Sequence, residues 1–149
     1  MRTVPVHFEP ASAGDAEELA ALRVVAMQRS LERIGRFDPE RARVRFLSNF
    51  APSLTRHLVV DRDRVGFVVV RHQSDHLLLD HLYVHPAHQG LGTGAAALAM
   101  IFEEADAAML PIRVGALRES DSNRFYARHG FELVEQAEWD NYYVRKPKG

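Results

Sequence analysis

The sequence predicts a mixed α/β layer fold, an α+β mixed sheet of about seven strands and four helices, in one domain spanning residues 1–149. Three observations carry that prediction. An apolar run of strand length, Leu77-Leu78-Leu79-Asp80-His81-Leu82-Tyr83-Val84, lies near the middle of the chain, and Pro86, which has no N–H for a sheet ladder, stops it. A loop with glycine at alternate places follows, Gln89-Gly90-Leu91-Gly92-Thr93-Gly94, and runs straight into an alanine-rich helical stretch from Ala95. Before this centre the apolar spacing is that of a strand meander. After it the order is helix, strand, helix, hairpin.

In chain order, Val4, Val6 and Phe8 alternate as a first strand with one buried face, closed by Pro10. Asp15 opens a helix as N-cap, with Glu18 in the capping-box position. Leu19, Leu22 and Ala26 follow at helical spacing to about Glu32, and Gly35 ends the helix. Asp38-Pro39-Glu40 starts a second helix, whose buried side is expected at Val44 and Leu47; Arg41, Arg43 and Arg45 alternate along it as a solvated face or, in the sharper reading, as a rim of the acceptor site. Leu58–Val60 and Val65–Val70 read as an antiparallel hairpin across Asp61-Arg62-Asp63-Arg64, with Gly66 marking a bulge. A turn around Gln73-Ser74-Asp75 leads into the central strand. The helix after the glycine loop carries Leu98, Ile101, Phe102, Ala105 and Met109 on one stripe, and Pro111 ends it. Ile112, Val114 and Ala116 make the next strand. Ser120 to His129 is a short helix with Gly130 at the left-handed cap. Phe131, Leu133 and Val134 begin a strand, paired with a last one at Tyr142-Tyr143-Val144.

Composition narrows the function. A net charge of −1 gives no general attraction to nucleic acid or to an anionic membrane surface. The absence of cysteine removes disulfides, thiolate metal sites and a cysteine nucleophile together, and it fits a cytoplasmic location. No apolar run approaches the ~18 residues of a membrane span, and no apolar segment follows Arg2 as a signal peptide requires. His81, His85 and His88 lie on a strand and a loop with no completing ligand in register, so no metal is expected. Too few residues follow Gly94 for the paired halves of a dinucleotide fold, and no lysine follows the glycines as a P-loop needs.

The glycine loop has its own chemistry. Alternating glycines let the backbone turn tightly and leave its N–H groups bare, and ahead of a helix those groups add to the helix dipole as an anion site. Gln89-x-x-Gly92-x-Gly94 behind a Leu-Tyr-Val-x-Pro strand resembles the acyl-CoA motif of the GCN5-related N-acetyltransferase (GNAT) family. Asn123-Arg124-Phe125-Tyr126-Ala127-Arg128-His129-Gly130-Phe131 resembles that family's second CoA motif. The resemblance runs with specificity from about Asp80 to Phe131; the N-terminal third matches in element order alone. It implies the GNAT-type acyl-CoA N-acyltransferase fold. It also implies that the Gln89–Gly94 loop (Gln89, Gly90, Leu91, Gly92, Thr93, Gly94) holds the CoA pyrophosphate. Leu82, Tyr83 and Val84 would form a splayed triplet whose backbone pairs with pantetheine, and the Tyr126 hydroxyl would lie near the CoA sulfur. The family's pantetheine-contacting asparagine stands six or seven residues before the tyrosine. Here those places hold Ser120 and Glu119, so Ser120 and Asn123 are the two candidates for that contact.

The implied reaction moves an acetyl group from acetyl-CoA to a primary amine, directly in a ternary complex, since no cysteine is present to carry it. A lysine-like amine has a pKa of about 10.4, so bringing it to the neutral form at pH 7 costs about 4–5 kcal/mol. In the family the base often stands two or four residues ahead of the splayed triplet. Those positions are Asp80 and Leu78, and only Asp80 can act. His81 is the competing base, directed to the opposite face by strand alternation. Glu119, and Glu138 with Asp140 around Trp139, are candidates for an acceptor site that prefers cations. The acceptor is a small-molecule amine or a peptide or protein amine, and sequence does not choose among them, nor between monomer and homodimer. The reading from a different class is a non-catalytic acyl-CoA-binding or sensing module, which keeps the loop and Tyr126 and needs no amine site.

Overall fold

The computed structural model describes residues 5–148. The chain runs β1 (His7–Pro10), α1 (Ala16–Arg33), α2 (Pro39–Ser48), β2 (Thr55–Val60), β3 (Asp63–His72), β4 (Leu77–Val84), α3 (Thr93–Ala108), β5 (Ile112–Leu117), α4 (Ser122–Arg128), β6 (Glu132–Gln136) and β7 (Asp140–Arg145). The strands form one mixed sheet in the order β1-β2-β3-β4-β5-β7-β6. The β4–β5 pair is parallel; β1–β2, β2–β3, β5–β7 and β6–β7 are antiparallel. This is the expected seven-strand, four-helix mixed fold. Of the alternating residues assigned to the first strand, Val4 lies outside the described residues, and the strand itself begins at His7.

The chain divides into two compact units. One runs up to Val69 and resumes over His81–Ala97; the other is Val70–Asp80 with the chain from Leu98 onward. In the first, Leu19 and Ala20 of α1, Phe46 of α2 and Phe67 and Val69 of β3 form a buried cluster, with Leu22, Leu47, Phe50, Leu54 and Tyr83 around it. Phe46 meets Phe67 edge-on at 5.4 Å between centroids. Full burial of each large apolar side chain contributes about 1.5–3 kcal/mol. The buried side of α2 is therefore Ala42 and Phe46, one turn apart. The expectation for Val44 fails: it is 51% exposed, because Phe46 claims the core-facing stripe and Val44 stands off it. The predicted N-terminus of α2 holds, with Pro39 first and Asp38 Oδ1 accepting from Arg41 N–H at 3.1 Å.

The entry to α1 differs from the sequence reading. A 3-10 turn, Ala13–Asp15, precedes the helix. Asp15 stands at the N-cap position of α1, as expected, but its side chain makes no capping bond there; its Oδ2 accepts the Ser12 N–H at 2.9 Å and bonds His57 Nε2 at 2.9 Å, while Oδ1 takes Arg64 at 3.3 Å. His57 beside it, then the Ser12 N–H, hold the Asp15 carboxyl well below the usual carboxylate range. A helix-cap residue type has been recruited to tie the start of α1 to β2 and β3.

The β2–β3 turn is two residues long, Asp61 and Arg62, both in the left-handed region, which suits the twist of a tight hairpin. The register slips between Leu58 and Val59, so Val65 is the extra residue. Gly66 beside it is required: a Cβ there would strike the Tyr83 carbonyl oxygen on β4.

In the second unit, Leu98, Ile101 and Ala105 of α3 are fully buried, as are Ile112 and Val114 of β5 or nearly so. Phe102 packs on Phe131 at 5.9 Å, and Arg145 lies over the Phe102 ring while pairing with Asp106 at 2.9 and 3.2 Å. Met109 is not on the buried stripe. It is 73% exposed in the left-handed conformation that ends α3, with the Leu110 N–H returning to Ala105 O at 2.9 Å.

Candidate acyl-CoA site

Two backbone bonds near the ends of β3 and β4 show an irregularity in the central strand. His85 N–H donates to Val65 O at 2.8 Å, and Gln73 N–H donates to His76 O at 3.0 Å. Seven residues separate Val65 from Gln73 on β3, but eight separate His76 from His85 on β4. The strand β4 therefore carries one residue too many for an even ladder, the signature of a bulge. The parallel register with β5 is Leu77↔Ile112, Leu78↔Arg113 and Leu79↔Val114.

The loop after β4 is built by its backbone. Pro86–His88 make a 3-10 turn, capped where His85 Nδ1 accepts the Ala87 N–H at 3.0 Å. Gly90 and Gly92 take φ of +78° and +83°, a region that L side chains rarely adopt. An added Cβ would meet nothing within 4 Å at either place, so the glycines are there for conformation rather than for space. Gln89 Nε2 donates to Val84 O at 2.9 Å and staples the loop to the end of β4. The first helical bond of α3 runs from Ala96 N–H to Gly92 O at 3.0 Å. The N–H groups of Thr93, Gly94 and Ala95 thus form the first turn, where no intrahelical acceptor exists and the dipole is positive. Gly90, Leu91 and Gly92 are exposed, and Thr93 is buried. Such a helix start, preceded by two left-handed glycines, has the free N–H groups that can take an anion.

Leu82, Tyr83 and Val84 are all half-buried. Asp80 Oδ2 accepts from Arg71 Nε at 2.8 Å, so its ion pair is with an arginine of the neighbouring strand. His81 takes another environment: its ring lies 5.5 Å from Phe46 and 5.6 Å from Tyr83, with Nδ1 3.4 Å from the Tyr83 hydroxyl, which also reaches Met27 Sδ at 3.3 Å. Arg71 was missed in the sequence. A two-residue turn at Ser74-Asp75 puts Arg71 opposite Leu78, and Asp80, two residues further on the same face, is its diagonal neighbour within reach of the long side chain.

Helix α4 carries the second group. Tyr126 is 5% exposed, with rings of Phe125 and Phe131 at 5.3 Å and Tyr143 at 6.4 Å. Phe131 N–H returns to Tyr126 O at 3.1 Å, and Gly130 at φ +90° closes the helix. Asn123 is committed inward: Nδ2 donates to Leu117 O at 2.7 Å and Ser120 O at 2.8 Å, and Oδ1 accepts from Asn141 Nδ2 at 2.8 Å and the Tyr143 hydroxyl at 2.9 Å. Ser120 Oγ donates to Leu117 O at 2.8 Å.

The family model described as an acetyltransferase (GNAT) domain matches residues 53–133, a span that holds both the glycine loop and α4. The chain belongs to the GNAT acetyltransferase family. The GNAT fold is also that of known structures. One is a PaiA N-acetyltransferase from Thermoplasma acidophilum, solved in complex with coenzyme A, with a TM-score of 0.79 at 16% identity, covering 95% of this chain and 99% of that one. An acetyltransferase from Thermus thermophilus gives 0.73 at 19% identity, over 98% and 99%. An N-acetylglutamate synthase from Neisseria gonorrhoeae, complexed with coenzyme A and N-acetyl-glutamate, gives 0.68 at 23% identity, over 99% of this chain and 36% of that one. No curated protein sequence matches this GNAT chain. Among its described residues, no helix is long and apolar enough to cross a membrane.

Proposed function

We propose that this GNAT domain is an acetyl-CoA-dependent N-acetyltransferase that moves an acetyl group to a primary amine by direct transfer in a ternary complex. The observation that carries the reading is the Gln89–Gly94 loop, with left-handed Gly90 and Gly92, the first turn of α3 directly after them, and a side-chain staple to β4. Its donors suit the pyrophosphate of CoA, which supplies the activated acetyl thioester when bound. Leu82, Tyr83 and Val84, at the end of β4, offer backbone to the pantetheine arm, and a backbone N–H near Val84 holds the thioester carbonyl oxygen. Asp80, oriented by Arg71, accepts the proton of the amine, directly or through water. Tyr126 donates a hydrogen bond to the departing sulfur. A phenol near pKa 10 does not give its proton outright to a thiolate near 8.5, so net transfer accompanies loss of the proton from the acylated amine.

The test is thiol release from acetyl-CoA against a panel of small amines, amino acids, polyamines and lysine peptides, with Asp80→Ala and Tyr126→Phe alongside. Turnover with one acceptor class, sharply lowered in either variant, is the expected result. CoA binding with no thiol release from any acceptor defeats the enzyme reading and leaves the acyl-CoA-binding module.

A further inference from the structure

Helix α4 is seven residues long, and its N-cap residue Asp121 makes no side-chain capping bond. So short a helix is not stable by itself and takes its position from what ties it down. At its C-terminal end the tie is the Gly130 cap. At its N-terminal end it is Asn123. The amide of Asn123 clamps the turn before the helix through Leu117 O and Ser120 O, with Arg118 O at 3.3 Å. It is itself clamped to β7 by Asn141 and Tyr143, and Gln136 Nε2 extends the chain of bonds to Asn141 Oδ1 at 3.1 Å. Both Asn123 Nδ2 hydrogens and its Oδ1 are engaged by protein atoms, so contact with a ligand would require breaking a saturated network. Tyr126 stands three residues on, one helical turn away on the same side, and its ring abuts that of Tyr143, the hydroxyl of which ends on Asn123.

We propose that Asn123, with Tyr143 and Asn141, is a positioning residue that sets the place of Tyr126, and not a ligand of the pantetheine arm. The inference rests on the reading of Tyr126 as the group beside the CoA sulfur. A hydrogen bond aimed at one sulfur tolerates little displacement, and a shift of about 1 Å is enough to cost on the order of a hundredfold in rate. The saturated amide network holds the helix within that tolerance.

The chain has four tyrosines, so ring-labelled tyrosine gives four resolvable NMR signals, with that of Tyr126 assigned by its loss in Tyr126→Phe. In the native chain, addition of CoA shifts the Tyr126 signal. In Tyr143→Phe, which keeps the packed ring and removes the bond to Asn123, the CoA-induced shift of Tyr126 is reduced or broadened, while the CoA dissociation constant stays within about threefold, under 1 kcal/mol. Asn123→Ala has the larger effect in the same direction. An unchanged Tyr126 response in both variants, or a CoA dissociation constant that rises more than tenfold in Asn123→Ala with the Tyr126 response intact, overturns the inference alone. A Tyr126 signal indifferent to CoA in the native chain overturns the reading of Tyr126 and the inference with it.

Discussion

The glycine loop and helix α4 carry the two family motifs, and they are built on opposite plans. In the loop, from Gln89 to Gly94, the groups on offer are backbone N–H donors at a helix start, and the Gln89 side chain is bonded back to Val84 O as a staple. In α4 the feature of interest is a side chain, Tyr126, and the surrounding polar groups are spent on holding it, Asn123 above all. A backbone site depends on dihedral angles, which glycine announces in a sequence. A side-chain site depends on where a helix sits, which is decided by bonds to β5 and β7 that no local motif reveals.

The comparison predicts which changes hurt each region. The largest effect belongs to Asp80→Asn, which keeps a partner for Arg71 and removes the proton acceptor. Its kcat falls by about 10²–10⁴-fold with CoA affinity unchanged, read from thiol release beside a CoA titration. A change in CoA affinity instead would place Asp80 on the CoA side of the reaction. Next is Gly92→Val. An added Cβ meets nothing there, so the strain of φ +83° dominates, worth about 1–3 kcal/mol, and CoA affinity falls by roughly 10–100-fold. Gln89→Ala loses one neutral hydrogen bond, about 0.5–1.5 kcal/mol, and weakens CoA by roughly 2–10-fold.

Outside both motifs, acid tests the tie between α1 and the β2–β3 hairpin. The folded Asp15 carboxyl sits below its ordinary range. Its contribution to stability is therefore complete above the unfolded value near 4 and is lost as pH falls through the depressed folded value. Melting temperature followed from pH 7 to pH 3 should fall less steeply in Asp15→Asn than in the native chain. Equal slopes would mean that the bonds from Ser12, His57 and Arg64 contribute nothing to the acid response.

Most of the fold was legible because strand period, proline stops and glycine caps are local signals. The central strand was read as Leu77–Val84 and is β4. Two of the three departures share one cause, a tertiary partner that overrode local pattern; the third is local. Val44 lost the core to Phe46, which has Phe67 to pack on. Asp15 keeps the N-cap position of α1, but its carboxylate is drawn from the helix N–H groups to His57 and Arg64, which arrive from β2 and β3. Met109 occupies a cap conformation that sequence rules give to glycine. In the site, the glycine loop is legible as a tight turn before a helix, whereas the Arg71–Asp80 pair and the saturation of Asn123 are not, since each depends on which residues of neighbouring strands stand beside one another.

The most direct test of the central claim, that the Gln89–Gly94 backbone recognises the phosphates of CoA, is a calorimetric titration of the native chain with CoA and with pantetheine, which lacks the phosphates. The account predicts one saturable site for CoA, far weaker binding of pantetheine, and a CoA affinity that falls in Gly92→Val. Pantetheine bound as tightly as CoA, or a Gly92→Val variant with native CoA affinity, would contradict it.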